Sequence, residues 1–92
     1  MTHFEEAVLD VIGSLGRGEV VTYGEVADQA GFPGAARAVG TVLRNCEDGV
    51  PWWRVVGAGG SIRTPPRVGQ ADLLRKEGVR VVAGKVAVVR NR

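Results

Sequence analysis

Residues 22–46 read TYGEVADQAGFPGAARAVGTVLRNC, and the organisation of the chain follows from how this stretch parses. Thr22-x-x-Glu25 is a capping box, in which a hydroxyl and a carboxylate satisfy each other's backbone N–H groups at a helix start. Val26, Ala27 and Ala30 then line one side of a short helix. Gly31-Phe32-Pro33-Gly34 must be a turn, because proline and two glycines break a helix. A further helix runs from Ala35 to Cys46. Its wheel places Ala35, Val39, Val42, Leu43 and Cys46 on one apolar arc, with Arg37, Gly40, Thr41, Arg44 and Asn45 on the other side. Helix, glycine-containing turn and a helix with a polar outer face form a helix-turn-helix pattern. The small residues on that face (Ala36, Ala38, Gly40, Thr41) let the backbone approach a groove, and Arg37 and Arg44 can reach phosphates or bases.

Upstream, Phe4, Val8, Val11, Ile12 and Leu15 recur at helical spacing, which predicts an amphipathic helix over residues 3–15. Thr2 and Glu5 form a second capping box, and Gly16 suits the far end. Glu19 to Thr22 reads as an extended link. Downstream, Val50 to Val56 reads as a strand, followed by a glycine-rich tip at 57–60 and Ser61-Ile62-Arg63, together a small hairpin or wing. Thr64-Pro65-Pro66-Arg67 is a rigid loop. Gly69 to Glu77 is a short helix with Leu73 and Leu74 inward and Gly78 as its stop. Val79–Ala83 and Lys85–Arg90 alternate around Gly84 as a terminal β-hairpin. The expected fold class is α+β: a compact winged helix-turn-helix, one domain over residues 1–92, with a short C-terminal β-hairpin.

Ninety-two residues with 45% hydrophobic and 24% charged content fit one soluble domain. No apolar run approaches the roughly 20 residues needed to span a bilayer, and the N-terminus lacks the pattern of a signal peptide. A cytoplasmic location, nucleoid-associated when bound to DNA, is expected, with no membrane partner. The single cysteine excludes an internal disulfide. With one cysteine (Cys46) and one histidine (His3), neither a metal site nor a cofactor site is expected. The net charge of +2 hides a polarity: residues 1–30 hold six acids and one base, and residues 31–92 hold eleven bases and four acids. Ten of the twelve bases are arginine, which is suited to bidentate contacts with phosphates and bases. That segregation favours a polyanionic partner on one side.

Pro51-Trp52-Trp53-Arg54-Val55 places two adjacent indoles in a chain with few aromatic residues. On a strand, neighbours point to opposite faces. One indole is then core, and the other faces something else.

Four stretches fall in the order found in the DNA-binding domain of the O6-alkylguanine-DNA alkyltransferases. They are Val21-Thr22-Tyr23-Gly24-Glu25-Val26-Ala27, Ala36-Arg37-Ala38-Val39-Gly40, Val50-Pro51-Trp52-Trp53-Arg54-Val55-Val56 and Leu73-Leu74-x-x-Glu77-Gly78. The resemblance covers roughly residues 4–82. In that family the third stretch carries Pro-Cys-His-Arg-Val, where the cysteine accepts the alkyl group and the histidine activates it through water. Here Trp52 and Trp53 occupy those positions. A thiolate is the nucleophile in such chemistry, and an indole N–H is a donor with no basic lone pair. Cys46 lies on the apolar arc and reads as a small buried hydrophobe. The chain thus resembles the alkyltransferase-like branch, which carries tryptophan at the cysteine position and has no transferase activity. It departs from most of that branch in having Trp53 where they keep histidine.

The resemblance implies roles. Trp52 is a pocket wall against a flipped base, where stacking contributes about 1–3 kcal/mol; read without the resemblance, it is a core aromatic. Trp53 packs against the helical layer. Arg37 is the finger that enters through the minor groove and fills the vacated space, or else a surface phosphate contact. Tyr23 presses on the phosphate 3′ to the lesion, or else is a half-buried packing tyrosine. Val55, Val56, Gly59, Ser61 and residues 63–67 form the loop over the pocket, and either Arg63 or Arg67 contacts the modified base. Asn45 buttresses the turn beside the site, Arg44 and Thr41 contact phosphates, and Arg54 and Glu77 are structural. The expected function is non-enzymatic recognition of O6-alkylguanine in duplex DNA by nucleotide flipping, acting as a monomer and signalling to nucleotide excision repair proteins. The alternative is a winged-helix transcription regulator binding undamaged DNA, which needs a dimer interface that no spare amphipathic helix supplies. An active alkyltransferase would have only Cys46 to work with.

Overall fold

The computed structural model describes residues 2–45, 49–62 and 69–87. Helix α1 spans His3–Gly13, strand β1 Val21–Thr22, helix α2 Tyr23–Ala30 and helix α3 Ala36–Asn45. Strand β2 is Val55–Val56, helix α4 Gln70–Lys76, strand β3 Val81–Val82 and strand β4 Lys85–Val86. Both capping boxes form with the same geometry. The Thr2 and Thr22 hydroxyls accept from the N–H groups of Glu5 and Glu25 at 3.1 Å, and the two carboxylates accept from Thr2 and Thr22 N–H at 2.8 Å. Each such cap contributes about 1 kcal/mol.

Helix α1 ends at Gly13, with Ser14 N–H bonded back to Asp10, short of the expected end at residue 15. Gly16 is not its cap; its N–H donates instead to Glu19 Oε1 at 2.9 Å. Leu15 is still buried, so the spacing reported burial correctly although the helix had stopped. After α2 the chain reverses at Gly31, whose φ of 94° lies in the left-handed region that glycine enters without Cβ strain. The following Phe32 N–H reaches back to Ala27 O at 2.9 Å. The Phe32 ring packs edge-on against Phe4 of α1, centroids 4.9 Å apart at 85°. The turn between α2 and α3 is thereby fastened to the first helix.

Strands β1 and β2 pair in parallel, Val21 with Val55 and Thr22 with Val56. This corrects the expected strand 50–56 with its own hairpin partner: β2 is two residues long and pairs with the link before α2. Beyond the 3-10 turn at Ala58–Gly60, Ser61 bridges Lys85, which ties the tip to the terminal hairpin. Alternation along β2 divides the core. Val55 belongs to the cluster built by α1, α2 and α3, around Val8, Ile12, Val26 and Val39. Val56 belongs to a second cluster with Leu74, Val81 and Val86. Strands β3 and β4 are antiparallel and joined through Ala83 and Gly84, both at positive φ (54° and 77°), the signature of a two-residue I′ turn. In α4 Leu74 is fully buried and Leu73 half-buried, and the other buried position is polar, Gln70. The fold is α+β with a helix-turn-helix. Cys46, residues 63–68 and residues 88–90 of the expected hairpin lie outside the described residues.

Candidate nucleic-acid interface

Two surfaces carry the residues singled out in the sequence. The first is the outer face of α3. Arg37 is exposed in its first turn, and Thr41 and Arg44 follow on the same side. Thr41 Oγ1 donates to Arg37 O at 3.3 Å, and Arg44 Nη2 donates to Thr41 Oγ1 at 3.2 Å. Arg44 is thus drawn along the helix while Arg37 projects from its start. A Cβ placed on Gly40 would meet nothing within 4 Å, so internal packing does not demand glycine there. Ala36 is half-buried beside it, and Asn45 is exposed at the last residue of the helix. Tyr23 opens α2, half-buried against the first core cluster.

The second surface is the tryptophan turn. The backbone does not run through it as a strand. Trp52 N–H donates to Val50 O at 2.8 Å across Pro51, whose φ −78° and ψ 68° are those of an inverse γ-turn. A 3-10 turn over Trp52–Arg54 follows, with Arg54 N–H bonded to Pro51 O at 3.1 Å. The two indoles therefore do not point to opposite faces. They stand edge to face, centroids 5.9 Å apart at 87°. Trp52 is half-buried against the first cluster. Trp53 leans on the second cluster, not on the helical layer as expected, because the 3-10 turn rotates it toward α4.

Glu77, at the end of α4, gathers the turn. Its carboxylate accepts from Trp53 Nε1 at 2.8 Å, from Gly18 N at 2.7 Å and from Arg54 at two points, Nε at 3.0 Å and Nη2 at 2.6 Å. The Arg54 bond lowers the Glu77 pKa from its ordinary 4.5 to about 2. Burial opposes that shift, and the Gly18 and Trp53 donors assist it. Arg54 also donates from Nη1 to Leu15 O at 2.8 Å, and its Cζ lies 5.3 Å from the Trp53 ring centroid. From the other end of α4, Gln70 Nε2 donates to Trp53 O at 3.0 Å and Val55 O at 2.9 Å.

An open cleft of about 430 Å³ borders the turn, lined by both indoles, Arg54, Pro51, Val50 and Gly49, and by Leu15 and Gly13 at the end of α1. Of the residues expected to form a lesion pocket, this cleft takes in Trp52. Val55 requires correction: with 1% exposure its side chain offers no surface to a ligand, because it packs into the first core cluster beneath the helices. Val56 is buried on the opposite face, in the second cluster. Ser61 is half-buried at the bridge to Lys85. Arg63 and Arg67 lie outside the described residues. Sequence reasoning missed Gln70, since a glutamine opening a short helix reads as surface; nothing local announces the two carbonyls it serves.

The chain matches the family described as 6-O-methylguanine DNA methyltransferase, DNA binding domain, over residues 3–79. It is 40% identical to a DNA base-flipping protein of Vibrio parahaemolyticus, over 96% of this chain and 93% of that one. Alkyltransferase-like protein 1 of Schizosaccharomyces pombe is 36% identical, over 88% of this chain and 81% of that one. The crystal structure of that yeast protein with damaged DNA containing O6-carboxymethylguanine superposes with a TM-score of 0.80 and 35% identity, covering 89% of this chain and 82% of that one. The O6-methylguanine methyltransferase of Mycobacterium tuberculosis matches with a TM-score of 0.75 at 37% identity, over 90% of this chain and 53% of the enzyme. The chain belongs to the family of the 6-O-methylguanine DNA methyltransferase DNA-binding domain.

Proposed function

We propose that this chain recognises O6-alkylguanine in duplex DNA by grip and carries out no alkyl transfer. The observation that supports this most directly is Trp52: its ring is half-buried and borders an open cleft, and the motif resemblance assigns it the alkyl-acceptor position. An indole neither attacks an alkyl carbon nor leaves a thiolate to do so. Its face does suit an everted base, for which stacking contributes about 1–3 kcal/mol. An O6-alkylated guanine has lost its N1 proton and pairs poorly, so extruding it costs less than extruding guanine.

In this reading α3 docks in the minor groove, Arg37 fills the space the nucleotide leaves, and Tyr23 presses on the adjoining phosphate. Ala36, Gly40, Thr41, Arg44 and Asn45 track the backbone, and Arg63 or Arg67 contacts the lesion. The yeast relative bound to O6-carboxymethylguanine DNA supports the choice of substrate. The base-flipping name of the Vibrio relative supports the extrusion step. The chain works as a monomer and hands the marked site to nucleotide excision repair.

The test is a binding titration of one duplex with and without a single O6-methylguanine, at stated salt because phosphate contacts make any DNA affinity salt-dependent. A preference of about tenfold or more for the lesion is expected, because the poorly paired alkylguanine costs less to extrude than guanine. Equal affinity for both duplexes refutes the reading. Intact-mass analysis after incubation tests the chemistry, and a stable gain of one alkyl group would overturn the non-enzymatic assignment.

A further inference from the structure

The geometry points to Trp53, anchored by Glu77, as the positioning residue that holds the Trp52 ring ready for its ligand. This rests on the reading of Trp52 as the stacking plate. Trp53 is fixed from three sides. Its N–H is committed to Glu77 Oε2, and its carbonyl is held by Gln70. Its ring is flanked by the Arg54 guanidinium. Glu77 is itself immobilised by Gly18 N–H and by the two-point bond from Arg54, which reaches on to Leu15 O. The turn is thereby tied to the link after α1 and to both ends of α4. Trp52, one residue earlier, meets the Trp53 ring at 87° and borders the open cleft. An edge-to-face pair is favoured over other arrangements of the two rings, so a fixed Trp53 biases the orientation of its neighbour. A plate whose orientation is set beforehand loses less rotamer entropy on stacking.

Nothing in this arrangement needs a proton to move. The indole N–H is only a donor, and Glu77 stays ionised well below neutral pH.

Two variants separate positioning from packing. Trp53→Phe keeps an aromatic ring but removes the donor to Glu77. Trp53→His restores a ring N–H. Each leaves Trp52 as the sole tryptophan, so the time-resolved fluorescence anisotropy of the DNA-free protein reads its ring motion directly. At least a twofold larger amplitude of fast ring motion is expected in Trp53→Phe than in Trp53→His. The ratio of affinities for lesion and plain duplex should fall about tenfold in Trp53→Phe, which corresponds to about 1.4 kcal/mol, and recover most of that loss in Trp53→His. Equal ring motion in the two variants overturns the proposal, as does an unchanged ratio in Trp53→Phe. If the unsubstituted chain shows no lesion preference, the functional reading fails instead, and the anisotropy comparison still decides whether Trp53 positions Trp52.

Discussion

Arg54 and Glu77 meet at two points, Nε to Oε1 at 3.0 Å and Nη2 to Oε2 at 2.6 Å, with 13% and 5% of their side chains exposed. Planar guanidinium and planar carboxylate match in this geometry, which makes it stronger and more directional than a single-point ion pair. It joins the 3-10 turn carrying both tryptophans to the end of α4. A shielded pair of this kind is costly to break from one side, because the remaining charge is left without its partner.

Glu77→Gln should therefore destabilise the fold by about 3 kcal/mol, measured by urea unfolding at pH 7. The pH dependence follows from the lowered pKa. Ionised Glu77 contributes its full stabilisation above 4.5, and that contribution is lost as pH falls through about 2. The advantage of the unsubstituted chain over Glu77→Gln should shrink steadily across that window. A constant difference from pH 6 to pH 2 would show that the carboxylate is not held in its charged form.

Gln70→Leu should cost about 2–4 kcal/mol, since it removes a buried donor from the carbonyls of Trp53 and Val55. Glutamine is 2% exposed here, so the leucine fits by volume and the loss reports hydrogen bonding. Unfolding midpoints of the two proteins decide it, and a neutral result would refute the role.

Arg37→Ala should weaken binding to lesion duplex about tenfold or more while changing affinity for plain duplex far less. Arg44, drawn toward Thr41 on the flank of α3, should act as a phosphate contact. Arg44→Ala should weaken both duplexes alike and reduce the salt slope by about 1. Titrations at several salt concentrations distinguish the two, and equal profiles would make Arg37 a phosphate contact as well.

Trp52→Ala should abolish the preference for O6-alkylguanine. Because the ring is half-buried against the first core cluster, a stability loss of about 1–2 kcal/mol should accompany it, below the cost for a fully buried tryptophan. A larger loss, with the variant unfolded at room temperature, would show that the indole is core.

Ala83→Asn should stabilise the terminal hairpin by about 1 kcal/mol, read as a higher thermal midpoint. Ala83 sits at φ 54°, where asparagine is tolerated better than alanine, in the first position of an I′ turn.

Local chemistry made much of this chain legible. Thr22 with Glu25 and Thr2 with Glu5 announced two helix starts to the residue, since a capping box needs only partners three apart. The arginines and the small residues on the outer side of α3 were legible from its wheel. The tryptophan turn was not. Val50 to Val56 has the composition of a strand, and only the Pro51 γ-turn and the 3-10 turn behind it show that the indoles share one corner. Val55 was misplaced for a related reason: its partner Val21 lies far away in sequence, and pairing with it decides which way the side chain faces.

The sequence by itself determined the α+β class, the helix-turn-helix, the charge polarity and the two adjacent indoles at positions 52 and 53. These depend on residue identity and on spacings of three or four, which short-range sterics and hydrogen bonding enforce. Tertiary structure alone decided how the turn is held, because Glu77, Gly18, Leu15 and Gln70 reach it from distant parts of the chain. Which donor meets which acceptor across such separations is set by packing of the whole fold, and no local pattern encodes it.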